Sequence, residues 1–248
     1  MACFLFLNFK KRAIFMPSKR NETKIITLLK IERVMKYLLT VSFVLFALAG
    51  SVFAQEKTAA ELKNEGNDAL RNKDYKAALE LYEKALENWS EEEPVDEAMV
   101  YNMATCARRI EDYDKAIKYY KMSEQQGFRE DISSYYIAYC LNKQDKEEEM
   151  EKTLVNAIEK YGSSKYLGHM KKMLVTYYLK KGSEPYNEAS QILASAQNAD
   201  PSQYDEINAR ANEAFAKAKP WFEKALQYDP DNESAKATLE EINNRLSE

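Results

Sequence analysis

Apolar positions between residues 75 and 157 recur at spacings of three and four, which is the period of an α-helix and not the alternation of a strand. One stripe with spacings of three, four and three occurs three times, first 38 and then 34 residues apart. Its members are Tyr75, Ala78, Tyr82 and Ala85, then Tyr113, Ala116, Tyr120 and Ser123, then Glu147, Met150, Leu154 and Ala157. The pattern predicts three amphipathic helices at a regular interval.

A second helical stripe precedes each of these, and a short polar turn separates the two. Its members are Leu62, Glu65, Gly66 and Ala69, then Val100, Met103, Ala104 and Ala107, then Ser134, Ile137, Ala138 and Leu141. The small residues Gly66, Ala104 and Ala138 allow a facing helix to approach closely. The sequence therefore predicts helix–turn–helix units of about 34 residues, and such internal repetition is typical of stacked solenoids.

The period changes after residue 162. Residues 166–178 form another helical face, and the segment Gly182-Ser183-Glu184-Pro185 is predicted to kink or interrupt it. Asp200 followed by Pro201 is typical of a helix start, with the helix running to Tyr228. Residues 232–247 are predicted to form a last helix, whose polar outer face suits the cap of a solenoid.

The quoted segments carry a resemblance to a known family. GNDALRNKDYKAALELYEKAL (66–86) and ATCARRIEDYDKAIKYYKMS (104–123) resemble tetratricopeptide repeats (TPR). Residues 138–162 resemble a degraded copy, with Glu147 where an aromatic residue is usual, and WFEKALQYDP (221–230) is similar to the second half of a unit. The resemblance is to secreted or periplasmic bacterial TPR proteins. It implies an all-α, TPR-like α-solenoid of about four helix–turn–helix units, with an extended last hairpin and a C-terminal capping helix.

The expected domain organisation follows from these boundaries. Residues 55–162 are predicted to form three TPR units, residues 163–231 an extended fourth TPR-like hairpin, and residues 232–248 the capping helix. Residues 35–54 are interpreted as a signal peptide, because Lys36 precedes a 13-residue apolar run and small residues follow it at Val52 and Ala54. Residues 1–34 are interpreted as an upstream extension before a start at Met35, and the sequence leaves their translation open.

Export to the periplasm is the expected localisation. The alternative is an uncleaved inner-membrane anchor, because residues 37–54 are long enough to reach the lower limit for crossing a bilayer. Contact with the membrane is expected only through this segment.

Charge and composition narrow the classes of function. Residues 1–54 contain nine of the 36 Lys and Arg and two of the 40 Asp and Glu, so the rest has 27 basic and 38 acidic residues, a net charge of −11. Such an acidic body disfavours nucleic-acid binding. The chain has one histidine, His169, and six scattered glycines. We therefore expect no catalytic site, no metal site and no cofactor.

Two cysteines occupy equivalent places in consecutive units, Cys106 and Cys140. Equivalent positions on neighbouring helices lie about 8–10 Å apart, whereas a disulfide needs Cα atoms within about 7 Å. The spacing favours two buried free thiols over a disulfide bridge, and the sequence leaves both alternatives open.

The resemblance implies that the first helices of the units line a concave, peptide-binding face. The expected peptide-binding residues are Lys63, Asn67, Arg71, Tyr101, Asn102, Arg108, Tyr135 and Tyr136. Lys63, Asn67 and Asn102 coincide with places that some TPR domains use to clamp a peptide C-terminal carboxylate. Ile132 and Tyr136 stand where that clamp has basic residues, so a mixed polar and aromatic groove is favoured over the clamp.

The expected function is that of a non-enzymatic adaptor or scaffold of the bacterial cell envelope, with a protein or peptide partner. A structural protein that self-associates through the long C-terminal hairpin is the alternative, and an enzyme is a third class. The sequence identifies neither the partner nor the oligomeric state.

Overall fold

The computed structural model of this chain describes residues 30, 32–37 and 57–247, which belong to two units. In the first unit, residues 32–37 are helical. The predicted signal peptide and upstream extension lie mostly outside the described residues. In the second unit, which begins at Thr58, every regular element of the described residues is a helix. Across all described ranges, no helix is both long and apolar enough to cross a bilayer.

Six helices of similar length form the first three helix pairs of the second unit. They are α1 (Ala59–Arg71), α2 (Tyr75–Glu87), α3 (Glu97–Arg109), α4 (Tyr113–Gln125), α5 (Glu130–Lys143) and α6 (Glu147–Lys160). Each stripe found in the sequence lies within one of these helices. The predicted all-α, repeated helix-pair fold is confirmed.

Side-chain caps set the starts of the first four helices. Thr58 and Glu61 form a capping box at the start of α1. Asp74, Asp96 and Asp112 each accept a hydrogen bond from a backbone N–H three residues on, at the starts of α2, α3 and α4. These caps satisfy donors that the first turn of a helix leaves unpaired. The turns between helices are therefore fixed by local chemistry.

The helices lie in two layers, with first helices beside first helices and second helices beside second helices. The guanidinium carbon of Arg108 in α3 lies 4.1 Å from the ring centre of Tyr136 in α5. In the other layer, Lys115 Nζ of α4 donates to Glu83 Oε2 of α2 at 2.9 Å. Contacts of this kind join successive pairs, as a solenoid requires.

Large rings from one layer fit against small residues of the other. A Cβ placed on Gly66 would lie only 2.7 Å from ring carbons of Tyr82, which is fully buried. The Tyr82 hydroxyl donates to Asn67 Oδ1 at 2.7 Å, and burial raises the pKa of Tyr82 to about 12. Ala104 and Tyr120, at the equivalent places of the next pair, are also fully buried. The predicted role of the small residues is confirmed where Gly66 meets Tyr82.

A much longer helix pair follows the first three. Its helices are α7 (Leu167–Ser195) and α8 (Tyr204–Tyr228). The ring centres of Tyr178 and Tyr228 lie 6.0 Å apart, and those of Tyr186 and Phe215 lie 5.6 Å apart. As α7 advances, its contacts move backwards along α8, so the pair is antiparallel. The predicted extended hairpin is confirmed.

Pro185 lies inside α7, and the predicted interruption at Gly182–Pro185 is wrong. Phe222 of α8 packs directly on Gly182, where an added Cβ would lie 2.9 Å from the ring. The Ser183 hydroxyl donates to the Leu179 carbonyl at 2.6 Å, within the same turn. A proline in a helix interior costs about 3 kcal/mol, and close packing along the hairpin outweighs this cost.

The start of α8 follows the predicted signal. Asp200 accepts from the backbone N–H of Ser202 and forms a capping box with Gln203, and Pro201 occupies the first position of a short 3₁₀ turn, Pro201–Gln203. This turn leads directly into α8.

The last helix, α9 (Glu233–Ser247), packs against α8 of the long pair. Its residues Ala235 and Ile242 are fully buried, although most of its other residues are exposed. The Tyr186 hydroxyl of α7 donates to Glu241 Oε2 at 2.6 Å. One apolar side packed inward and one polar side outward is what a solenoid cap needs, and the predicted capping helix is confirmed.

Cys106 of α3 and Cys140 of α5 are both buried and both free. Burial raises the pKa of each thiol to about 12. Of the two alternatives that the spacing left open, the structure contains the free thiols, and they act as small core residues.

Candidate functional site on the first helices

We call the side of the second unit formed by α1, α3, α5 and α7 the first-helix face. All eight residues expected to bind a peptide lie on three of these helices. On α1, Lys63 Nζ lies 3.1 Å from Asp96 Oδ2, the cap of α3. Arg71 is exposed and forms an ion pair with Asp68 one turn away. The structure thus links Lys63 to the next helix pair and leaves Arg71 at the surface.

Both asparagines of the potential carboxylate clamp act on one internal hydroxyl. Asn67 Oδ1 accepts a hydrogen bond from the Tyr82 hydroxyl at 2.7 Å, and Asn102 acts to lower the pKa of the same group. Both amides are half-buried. Because it holds the Tyr82 hydroxyl, the Asn67 amide has a structural task besides any contact with a ligand. The peptide-binding assignment of both residues stays a prediction.

Tyr101 is the most buried of the residues expected to bind a peptide. Its side chain is only 9% exposed. Its ring lies edge-on to Tyr120 at 5.6 Å and to Phe128 at 6.0 Å, and the Arg129 guanidinium covers it at 4.9 Å. Tyr101 therefore supports the face from beneath, because neighbouring rings occupy the space on either side.

A chain of aromatic rings crosses from α3 to α7 along this face. We call it the tyrosine row, and its members are Tyr101, Tyr120, Tyr135, Tyr136, Tyr166 and His169. Tyr120 and Tyr136 stack with ring centres 5.4 Å apart, and Tyr135 lies 5.2 Å from Tyr136 and 5.3 Å from Tyr166. Tyr135, Tyr136 and Tyr166 are half-buried, so each presents part of its ring to solvent.

Arg108 is held in place over the tyrosine row. Its guanidinium lies 4.1 Å above the ring of Tyr136, and its Nε donates to the Tyr120 hydroxyl at 3.2 Å. Burial acts to lower the pKa of Arg108, but the hydrogen bond to Tyr120 and the electrostatic effects of Tyr120, Tyr136 and Cys140 together outweigh burial and raise the pKa. A stacked and hydrogen-bonded guanidinium keeps its charge and loses little further freedom when a ligand binds.

A cleft of about 600 Å³ opens between α5 and α7 at the end of the tyrosine row. It is lined by Tyr135, Asn142, Lys143, Asp145, Glu147, His169, Lys172, Met173, Thr176, Tyr177 and Lys180. Its volume falls in the range of small-ligand pockets. Of the expected residues, only Tyr135 lines it.

The cleft residues of α7 were missed at the level of the sequence. His169, Lys172, Met173, Thr176 and Lys180 have spacings of three, one, three and four, which places them on one side of the helix. Four of the five are exposed, Met173 being half-buried. The helical spacing that marks the core stripes also marks this exposed stripe, once polar positions are included.

A family model matches part of this chain, and several solved structures are similar to it. The family model of the tetratricopeptide repeat matches residues 58–126. No curated protein sequence matches the chain. A TPR repeats protein from Bacteroides fragilis NCTC 9343 is 21% identical, with 75% of this chain and 98% of that chain covered and a TM-score of 0.49.

Two further solved structures are similar at lower scores. YrrB, described as a TPR protein with an unusual peptide-binding site, is 18% identical, with 78% of this chain and 98% of that chain covered and a TM-score of 0.39. MamA from Desulfovibrio magneticus RS-1 is 15% identical, with 76% and 85% covered and a TM-score of 0.39. The family match covers α1 to α4, so residues 58–126 are a tetratricopeptide repeat segment, and helix pairs continue beyond it through α5 to α8.

Proposed function

We propose that this chain is a non-enzymatic adaptor of the bacterial cell envelope that binds a segment of another protein on its first-helix face. The observation that carries the proposal is the partly exposed end of the tyrosine row, Tyr135, Tyr136 and Tyr166, beside an open cleft, with the Arg108 guanidinium 4.1 Å from the ring centre of Tyr136. Tyrosine and arginine, together with tryptophan, are enriched among the residues that carry most of the binding energy of protein interfaces.

The fixed geometry of the row favours binding. Tyr136 is stacked on Tyr120 and covered by Arg108, so its ring has one arrangement before any partner arrives. Ordering a side chain on binding costs about 0.5–1.5 kcal/mol, and a preorganised side chain avoids most of this cost. The row can therefore offer flat apolar rings and hydrogen-bonding edges to an extended or helical segment.

Photo-crosslinking in the source cells tests this proposal on the full chain. The photoreactive residue p-benzoylphenylalanine is placed at Thr176, which is exposed in the cleft, and in a matched variant at Asn156, which is exposed on α6 in the other layer. We expect position 176, and not position 156, to form adducts with another protein. Equal adducts at both positions would contradict the proposal.

The same experiment separates the adaptor from a self-associating structural protein. A third variant carries the photoreactive residue at Tyr204, which is 42% exposed at the start of α8 near the hairpin turn. Adducts between two copies of this chain, formed from position 204 and absent from position 176, would favour self-association through the long hairpin.

The envelope location is a proposal that rests on residues 35–54. Its test is the N-terminus of the mature protein, measured by mass spectrometry after fractionation of the source cells. We expect the exported form to begin at Gln55, since Val52 and Ala54 occupy the positions that signal peptidase reads. A protein that retains residues 37–54 in the membrane fraction would instead indicate an anchor.

A further inference from the structure

We infer that the segment bound in the cleft between α5 and α7 is acidic, with carboxylates alternating with apolar side chains. The inference rests on the proposed function, because it assigns a chemistry to the partner of the same face. It depends on which charges of the cleft are already paired and which are free.

Glu147 is the most heavily paired carboxylate of the cleft. Lys180 Nζ lies 2.8 Å from Glu147 Oε1, and Lys181 Nζ lies 2.6 Å from Glu147 Oε2. Hydrogen bonds from these two lysines lower the pKa of Glu147. Two ammonium groups thus face one carboxylate, one from Lys180 in the cleft and one from Lys181 outside its lining, so the charge of Glu147 is compensated.

Lys143 and Lys172 line opposite walls of the same cleft, on α5 and α7. Both side chains are exposed, and among the described residues neither has a carboxylate oxygen within 4 Å. Asp145 is the remaining acidic residue of the lining. An anionic segment that enters the cleft can therefore pair with the ammonium groups of Lys143 and Lys172 without breaking an existing ion pair.

The negative charge of the whole body does not decide the field inside the cleft. Residues 55–248 carry a formal net charge of −11. At physiological ionic strength the Debye length is about 8 Å, so charges farther away are largely screened. The lining itself contains three lysines against Asp145 and Glu147, a formal net charge of 3 − 2 = +1, so the cleft favours an anion and binding should weaken as salt is raised.

Apolar surface accompanies the lysines. The ring of Tyr135 lies 5.9 Å from the ring of His169 at one end of the cleft, and Met173 is half-buried in its wall. Side chains of an extended segment alternate between two directions. An alternating sequence can therefore present apolar side chains to Tyr135 and Met173 and carboxylates to Lys143 and Lys172.

Fluorescence anisotropy with three labelled ten-residue peptides tests the inference. The probes alternate Glu with Leu, Gln with Leu, and Lys with Leu, and they are titrated with the full chain at 0.15 M salt. Two exposed ion pairs are each worth about threefold in affinity. We expect the Glu probe to bind about tenfold more tightly than the Gln probe, and the Lys probe to bind more weakly than both.

A pair of double variants locates the effect. Lys143→Gln with Lys172→Gln should weaken the Glu probe about tenfold and leave the Gln probe unchanged. Lys121→Gln with Lys152→Gln makes the same change of charge at exposed positions of α4 and α6, in the other layer, and should leave both probes unchanged. All four lysines are exposed, so both variants should fold, which circular dichroism checks.

The outcomes separate this inference from the proposed function. Binding of the Gln or Lys probe as tight as that of the Glu probe overturns the acidic partner and leaves the first-helix face as a binding surface. Equal weakening by the two double variants also overturns it, because the effect would then come from net charge. Absence of binding by every probe overturns it as well, and the crosslinks from position 176 then decide the proposed function separately.

Discussion

Replacing Gly66 by alanine tests the close approach between the two helix layers. A Cβ at this position would lie 2.7 Å from two ring carbons of Tyr82. The ring cannot easily move away, because Tyr82 is fully buried and its hydroxyl donates to Asn67 at 2.7 Å. We expect Gly66→Ala to destabilise the protein.

The magnitude follows from two opposing effects. Overpacking of a well-packed core costs about 1–3 kcal/mol. Alanine gains about 0.5–1 kcal/mol over glycine inside a helix. Because the ring of Tyr82 is held at both its face and its hydroxyl, the cost exceeds the gain and the net loss should be about 1–2 kcal/mol. At about 2–4 °C per kcal/mol for a domain of this size, Tm should fall by about 2–8 °C.

Gly168→Ala is the matched control. Gly168 lies in the first turn of α7, and an added Cβ would meet no heavy atom within 4 Å. The same chemical change should therefore leave stability unchanged or raise it by up to about 1 kcal/mol. Urea and thermal unfolding followed by far-UV circular dichroism measure both variants. A Gly66→Ala variant as stable as wild type would refute the packing argument.

Two further predictions concern buried polar groups. Partial burial acts to raise the pKa of Glu83, but hydrogen bonds from Lys115 and Tyr119 outweigh it and lower the pKa. The stability that Glu83 contributes is therefore present above its unfolded pKa of about 4.3 and is lost as pH falls through the lower folded value. Glu83→Gln should lower the free energy of unfolding by about 1–2 kcal/mol at pH 7, and the variant should lose less stability than wild type below pH 4.5. An unchanged midpoint of urea unfolding at pH 7 would contradict this. The thiols of Cys106 and Cys140, whose pKa burial raises to about 12, should not react with Ellman's reagent at pH 8 until urea unfolds the chain, and rapid labelling of the native protein would show that they are accessible.

Much of the fold could be predicted because the repeated signals are local. The apolar stripes of α1 to α6 need only the helical period, and Asp200 with Pro201 needs only helix-start chemistry. Pro185 is different, because its cost is local while its compensation lies about 40 residues away, where Phe222 packs on Gly182. No short window of sequence contains both partners.

The candidate site was predicted less completely, and the reason is again contact between distant residues. The spacing places Tyr101 with the first-helix residues, but only the structure shows that Phe128 and Arg129 cover it. Likewise, Lys143 and Lys172 are 29 positions apart and become the two walls of one cleft only when α5 and α7 lie side by side. Local sequence is enough to predict which helix a residue belongs to and which side of that helix it lies on. The exposure of the residue also depends on neighbours that are distant in sequence.

Hydrogen–deuterium exchange tests the central claim most directly. It is measured on the full chain alone and on the full chain in complex with the partner protein that crosslinking from position 176 identifies. The account predicts that the partner slows exchange in residues 130–143 and 167–180, which form the walls of the cleft, and leaves residues 113–125 and 147–160 of the second helices nearly unchanged. Slowed exchange confined to the second helices, or to residues 190–206 at the turn of the long hairpin, would contradict binding on the first-helix face.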